Sequence, residues 1–147
     1  MKTRINILLI IIWMIFIFIM SSQTGSQSSE MSSMVLKLFS FFNIDINSSL
    51  GNFLHTIIRK GAHLFEYFVL SLLFYNFIKE LFTDFKVYLF PIFASMVYAC
   101  TDEYHQTFIA NRVGSVTDVL IDTLGAAIAM VLVMIYRKTI KKLDPTE

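Results

Sequence analysis

Three stretches of this chain carry side chains suited to acid–base, ion-pair or ligand chemistry. In the first, Arg59, His63 and Tyr67 are spaced by four and Lys60, His63 and Glu66 by three, so each set shares one face of a helix. In the second, Asp102 and Glu103 precede His105 and Gln106. A helix running through that stretch brings carboxylate, imidazole and amide together at i, i+3 and i+4. In the third, Ser115, Asp118, Asp122, Gly125 and Ala129 form a single stripe, with Arg112 just ahead of it. His63, Glu66 and His105 are the types that move protons near neutral pH. Asp118 and Asp122 would orient them or bind a cation, and Asp102 and Glu103 would tune the cluster. Arg59, Lys60 and Arg112 suit an anionic phosphate or carboxylate. Gln106, Ser22 and Gln23 complete the substrate-binding set. The whole reads as a general acid–base site, a divalent-cation site or an ion-pair network. The spacings match no known metal motif, so no metal and no cofactor is assigned. No Ser/His/Asp or phosphate-loop pattern occurs.

Plainer readings exist for each stretch. Arg59 and Lys60 alone could be a snorkelling cationic helix end, but that leaves Glu66, a turn further in, without a reason. Asp102 to Gln106 could be a solvated helix end, although carboxylates there oppose the helix dipole. Asp118 and Asp122 could be structural hydrogen-bonding groups that tie helices together.

The elements that hold these residues are apolar. The chain has 147 residues, 56% of them hydrophobic, with a mean hydropathy of +0.66 and 15 phenylalanines. Water-soluble domains sit nearer 45–50% apolar, so the composition points to a membrane. The net charge of +1 excludes bulk attraction to nucleic acid. Cys100 is the sole cysteine; it forms no intrachain disulfide and reads as a small core-like residue.

Four apolar runs are legible, at about 5–20, 62–78, 85–101 and 116–136. The first follows Lys2 and Arg4 and lacks a good signal-cleavage site, so it reads as a retained span rather than a leader. Ser21 to Ser33 is Ser/Gln-rich and is expected to be irregular. From Met34 to Ile44 the polar residues Lys37, Ser40 and Asn43 recur at helical spacing, which suits a short interfacial helix. Asp45, Asn47, Ser48 and Ser49 supply cap chemistry, so the second helix is expected to begin near Ser49 and run to Ile78. Asp122 lies about six residues, roughly 9 Å, into the fourth run. A lone aspartate at that depth should face inward, beside small residues that permit close helix contact.

The cations give the bundle a side. If four spans alternate, eight Lys/Arg residues (Lys2, Arg4, Lys79, Lys86, Arg137, Lys138, Lys141 and Lys142) share one side, and Lys37, Arg59, Lys60 and Arg112 take the other. The rule that cytoplasmic loops are richer in Lys and Arg places both termini in the cytoplasm. All three chemical stretches then fall in the extracytoplasmic half.

Together these residues resemble the VanZ-like family of small bacterial membrane proteins. The resemblance rests on Ser21-Ser22-Gln23, on Arg59-Lys60-x-x-His63-x-x-Glu66-Tyr67, on Asp102-Glu103-x-His105-Gln106-x-Phe108-x-x-x-Arg112, and on Ser115-x-x-Asp118-x-x-x-Asp122-x-x-Gly125-Ala126. It spans the chain from the first run to the fourth. Where the family commonly carries a Pro-Gly turn, this chain has Ala110-Asn111; asparagine accepts a left-handed backbone, so a turn is still expected. The resemblance implies a role at the cell envelope, and its namesake contributes to resistance to teicoplanin-type lipoglycopeptides.

The expectation is therefore an all-α polytopic membrane helix bundle. It has four transmembrane helices and one short interfacial helix, in a single VanZ-like domain over residues 1–147 of the plasma membrane. A polar pocket walled by the second, third and fourth spans, under a lid at 34–44, would take the headgroup of an amphiphile. Membrane lipids, an anionic envelope lipid or a lipid-tailed glycopeptide are the expected partners, and nucleic acid is not. The sequence leaves open whether that pocket is catalytic. The alternative is a non-catalytic interaction protein whose buried charges are a structural clamp.

Overall fold

The computed structural model describes residues 2–38 and 49–143. They form five helices: α1 (Lys2–Ser21), α2 (Gly25–Leu38), α3 (Ser49–Ile78), α4 (Lys86–Gln106) and α5 (Val116–Leu143). No strand occurs among the described residues. α1, α3 and α5 are each long and apolar enough to cross a membrane. α4 is not apolar enough, because Lys86, Asp102 and Glu103 fall within its 21 residues.

Cross-helix contacts fix the directions. Asn6 Nδ2 donates to the Asn76 carbonyl at 3.1 Å, and Trp13 Nε1 to the Glu66 carbonyl at 2.9 Å, so α1 runs antiparallel to α3. Lys60 meets Asp118 and Ser71 meets Ala126, so α3 and α5 run parallel. α4 returns alongside both: Tyr88 stacks on Tyr75 near its start, and Glu103 meets Ser115 near its end.

Two buried apolar clusters join these helices. One holds Tyr75, Ile78, Val87, Ala129 and Met130. The other holds Ile17, Tyr67, Leu70 and Ala99. The outward face of α1 is the reverse of a soluble helix, with Ile5, Leu8, Ile12, Ile15 and Ile19 all exposed. Large apolar side chains stay outside when the surrounding solvent is hydrocarbon. Cys100 is likewise exposed on α4, so it is not core-like: its apolar run has an outward face as well as a buried one.

α3 begins at Ser49 and ends at Ile78, as the cap chemistry and periodicity indicate. The segment after α1 corrects the expectation of an irregular 21–33 stretch. Thr24 and Gln27 form a capping box: the Thr24 N–H donates to Gln27 Oε1 at 2.9 Å, and the Gln27 N–H donates to Thr24 Oγ1 at 3.4 Å. Such a pair satisfies helix-end donors reciprocally. The serines then return their hydroxyls to the helix, Ser29 to Gly25, Ser32 to Ser28 and Ser33 to Ser29, at 2.9–3.0 Å. The interfacial helix placed at 34–44 is thus the tail of a helix that starts at Gly25; residues 39–44 of that expectation lie outside the described residues, as do Asp45, Asn47 and Ser48.

Candidate functional site

The site grows from one close helix contact. A Cβ added at Gly125 would lie 2.2 Å from the Leu64 carbonyl oxygen, so only glycine lets α5 approach α3 there. With the helices parallel and touching, the i, i+4 aspartates of α5 meet the i, i+3 cations of α3 in order. Lys60 Nζ donates to Asp118 Oδ1 at 2.8 Å, a pair that is partly open to solvent. One turn deeper, His63 Nδ1 lies 3.5 Å from Asp122 Oδ1, an ion-pair distance without hydrogen-bond geometry. Asp122 is 0% exposed, and both its carboxylate oxygens lack a hydrogen-bond partner.

α4 brings the next acids. The helix continues to Gln106, so Asp102 and Gln106 meet as expected, with Gln106 Nε2 donating to Asp102 Oδ2 at 3.4 Å. Asp102 Oδ1 is buried and unpartnered. Glu103, also buried, accepts the Ser115 backbone N–H on Oε2 at 2.8 Å, joining the end of α4 to the start of α5. Its Oε1 is buried without a partner. A ligand atom from each of His63, Glu103 and Asp122 lies within 4.8 Å of the other two.

The loop between α4 and α5 aims Arg112. Asn111 takes the left-handed conformation, φ 59°, which asparagine tolerates better than most residues. The turn survives without the Pro-Gly pair, and α2 docks on it. The Gly25 N–H donates to the Ala110 carbonyl at 3.2 Å, and a Cβ on Gly25 would fall 2.3 Å from the Asn111 oxygen. Arg112 is half-buried, within electrostatic reach of Arg59, Asp102, Glu103 and Glu66. Burial first, and then the Arg59 charge, draw its pKa below the ordinary guanidinium value, against the pull of those acids. Such a group gains from an anion placed beside it.

A cavity of about 130 Å³ opens between α1, α2 and α3. Its polar lining residues include Arg59, His63, Glu66 and Arg112, with Ser21 and Gln23 at the end of α1. Its apolar lining residues are Met20, Met31, Val35, Ile58 and Ala62. This corrects the expected walls. Of the second, third and fourth spans only α3 contributes; α1, α2 and Arg112 supply the rest. The acids of α4 and α5 close on one another behind His63 instead, because the Gly125 contact leaves no gap between α3 and α5. The covering element is α2, through Met31, Ser32 and Val35. Sequence reasoning missed α2, and the signal that announces it is the Thr24-x-x-Gln27 capping box.

Of the remaining site candidates, His105 and Ser22 lie apart from the cavity, while Gln23 and Arg59 sit at its edge. His105 turns to α1, where its ring meets Phe18 at a centroid distance of 4.5 Å. Ser22 Oγ donates to the Phe18 carbonyl at 2.7 Å and serves the end of α1. Gln23 contacts Met20 Sδ at 3.7 Å at the cavity edge. Arg59 is exposed at the rim.

A family model described as VanZ/LLP1 matches residues 6–137. Comparison with curated proteins and with solved structures gives no match.

Proposed function

This chain belongs to the VanZ/LLP1 family, and from that premise we propose that it is an integral membrane protein whose cavity receives the headgroup of an anionic, lipid-tailed amphiphile. The observation that carries this reading is the composition of the cavity wall. Two guanidinium groups, Arg59 and Arg112, share the lining with methionine and aliphatic side chains of α1, α2 and α3. A phosphate or carboxylate suits the guanidiniums, and the beginning of an acyl chain suits the apolar side chains. His63 and Glu66, in the same lining, are the proton-transfer groups. Lys60 and Gln106 support the site through Asp118 and Asp102. A part in resistance to teicoplanin-type lipoglycopeptides follows if the amphiphile is such an antibiotic or an envelope lipid on its route.

We read four crossings. α4, at 21 residues and about 1.5 Å per residue, has the length of a bilayer core of ~30 Å, and it packs against two helices that are themselves candidate spans. The richer Lys/Arg side puts both termini in the cytoplasm and the cavity in the outer half.

The test is lipid analysis of the purified chain. Arg59→Glu with Arg112→Glu should strip co-purifying anionic lipid while folded yield stays at the parent level. Undiminished anionic lipid in the folded double variant would end this reading. A clamp is the second reading, and the 2.8 Å Lys60–Asp118 pair favours it. There, Lys60→Asp and Asp118→Lys singly lower folded yield and function together, and the double exchange restores both.

A further inference from the structure

The acids behind His63 have a problem that the headgroup cavity does not solve. Four carboxylates, those of Glu66, Asp102, Glu103 and Asp122, lie within electrostatic reach of one imidazole. Lys60, the nearest lysine in sequence, is taken by Asp118; Arg112 reaches Glu66, Asp102 and Glu103 electrostatically from the cavity lining but hydrogen-bonds none of the unpartnered oxygens. Among the described residues, Asp122 is fully buried with neither oxygen hydrogen-bonded, Glu103 is 5% exposed with Oε1 unpartnered, and His63 Nδ1 is also unpartnered. Buried polar atoms are nearly always hydrogen-bonded, and exceptions signal a function or an ion. A buried charge needs a partner of opposite sign.

We infer that His63, Glu103 and Asp122 form a binding site for a divalent transition-metal ion at the junction of α3, α4 and α5. Three observations carry this. The three ligand atoms come from three helices and lie within 4.8 Å of one another; ligands bonded to one ion at about 2.0–2.2 Å sit at most about 4.4 Å apart, so small side-chain rotations bring the three onto one ion. The oxygens of Asp122 have no other hydrogen-bond partner. The Glu103 carboxylate is oriented by the Ser115 N–H, the kind of outer support that ligating carboxylates carry. One imidazole with two carboxylates selects a first-row transition ion over calcium or magnesium, which prefer all-oxygen sets. Three protein ligands leave a position open, as in catalytic zinc sites. The inference stands apart from the headgroup reading, since no cavity residue other than His63 is a ligand. With an ion in place, His63 is a ligand and Glu66 is left as the proton-transfer group of the cavity.

The test uses the full chain purified in detergent, stripped with chelator and titrated with divalent cobalt, whose visible absorption reports its ligands. The expected result is one cobalt per chain with saturable visible bands. Asp122→Asn, Glu103→Gln and His63→Gln should each weaken binding by more than the roughly 10–100-fold that loss of an outer-shell partner costs. Glu80→Gln, at the opposite end of the bundle beside Thr3, should bind like the parent. Elution position and helical circular dichroism establish which variants are folded. Should one ligand variant fail to fold, the other two and the parent titration still decide. A folded parent that takes up no cobalt overturns the inference, as does undiminished binding in the folded ligand variants.

Discussion

At the end of the bundle where α3 gives way to α4, Tyr75, Ile78, Val87, Ala129 and Met130 pack against one another with Phe68, Leu72, Tyr88, Ile92 and Val133 around them. Lys79, Lys86 and Arg137 lie at or beyond this cluster along the chain. At the other end the same three helices bring together His63, Asp102, Glu103 and Asp122, with several buried oxygens facing no donor. The first end is what three packed helices make when they are selected to hold together. The second is what they make when stability has been given up for something else, because each buried carboxylate without a partner opposes folding. The contrast teaches where to look for function: not at the best-packed region but at the one that packing alone would never produce.

Four substitutions would break or sharpen that contrast. The largest effect belongs to Gly125→Val, at the contact on which both ends depend. Its Cβ would press on the Leu64 carbonyl, and a backbone atom yields less easily than the flexible side chains whose overpacking costs about 1–3 kcal/mol. The folded species should be lost from size-exclusion chromatography in mild detergent; a normal yield would mean that the close contact is not what positions the aspartates.

Next is Met130→Ala, in the apolar cluster. It should cost about 2 kcal/mol, the lower edge of the range for such truncations. Hydrocarbon around the bundle removes most of the transfer term and leaves the cavity term. Thermal unfolding in detergent reads this, and function should fall only in proportion to the folded fraction.

Asp122→Asn should move the other way. With chelator present, removing a buried carboxylate that accepts no hydrogen bond and faces only the His63 imidazole at 3.5 Å should leave stability at or above the parent's, because burying that charge costs more than so loose a pair returns, while lipid-linked function disappears. An unfolding temperature lowered as far as by Met130→Ala would place Asp122 with the structural residues and erase the distinction between the two ends. The smallest effect belongs to Lys60→Met. Its partner Asp118 is partly open and the lysine more so, so solvent screening limits the loss to about 1 kcal/mol or less.

Much of this was legible before any coordinates. The i, i+3 and i, i+4 spacings of Lys60, His63, Asp118 and Asp122 predicted their shared faces, and the small residues after Asp122 predicted the close approach at Gly125. The cap chemistry at Ser49 predicted the start of α3, and Asn111 predicted the left-handed turn. These are local properties of a chain with a 3.6-residue repeat, so they can be read from one strand of text. The Ser-rich segment misled because its composition was weighed and its capping box was not. Composition describes an average, whereas Thr24 and Gln27 act as a pair.

The sequence by itself determined which residues share a helix face and that the faces carrying charge must turn inward, since both follow from backbone geometry and from the cost of charge in hydrocarbon. Only the tertiary structure decided which faces meet. The parallel course of α3 and α5, the return of α4 alongside both and the docking of α2 on the Asn111 turn separate the charged residues into a cavity and a three-helix cluster. Contacts between helices depend on crossing angle and on close approach at single residues such as Gly125, and neither is encoded in the spacing along any one helix.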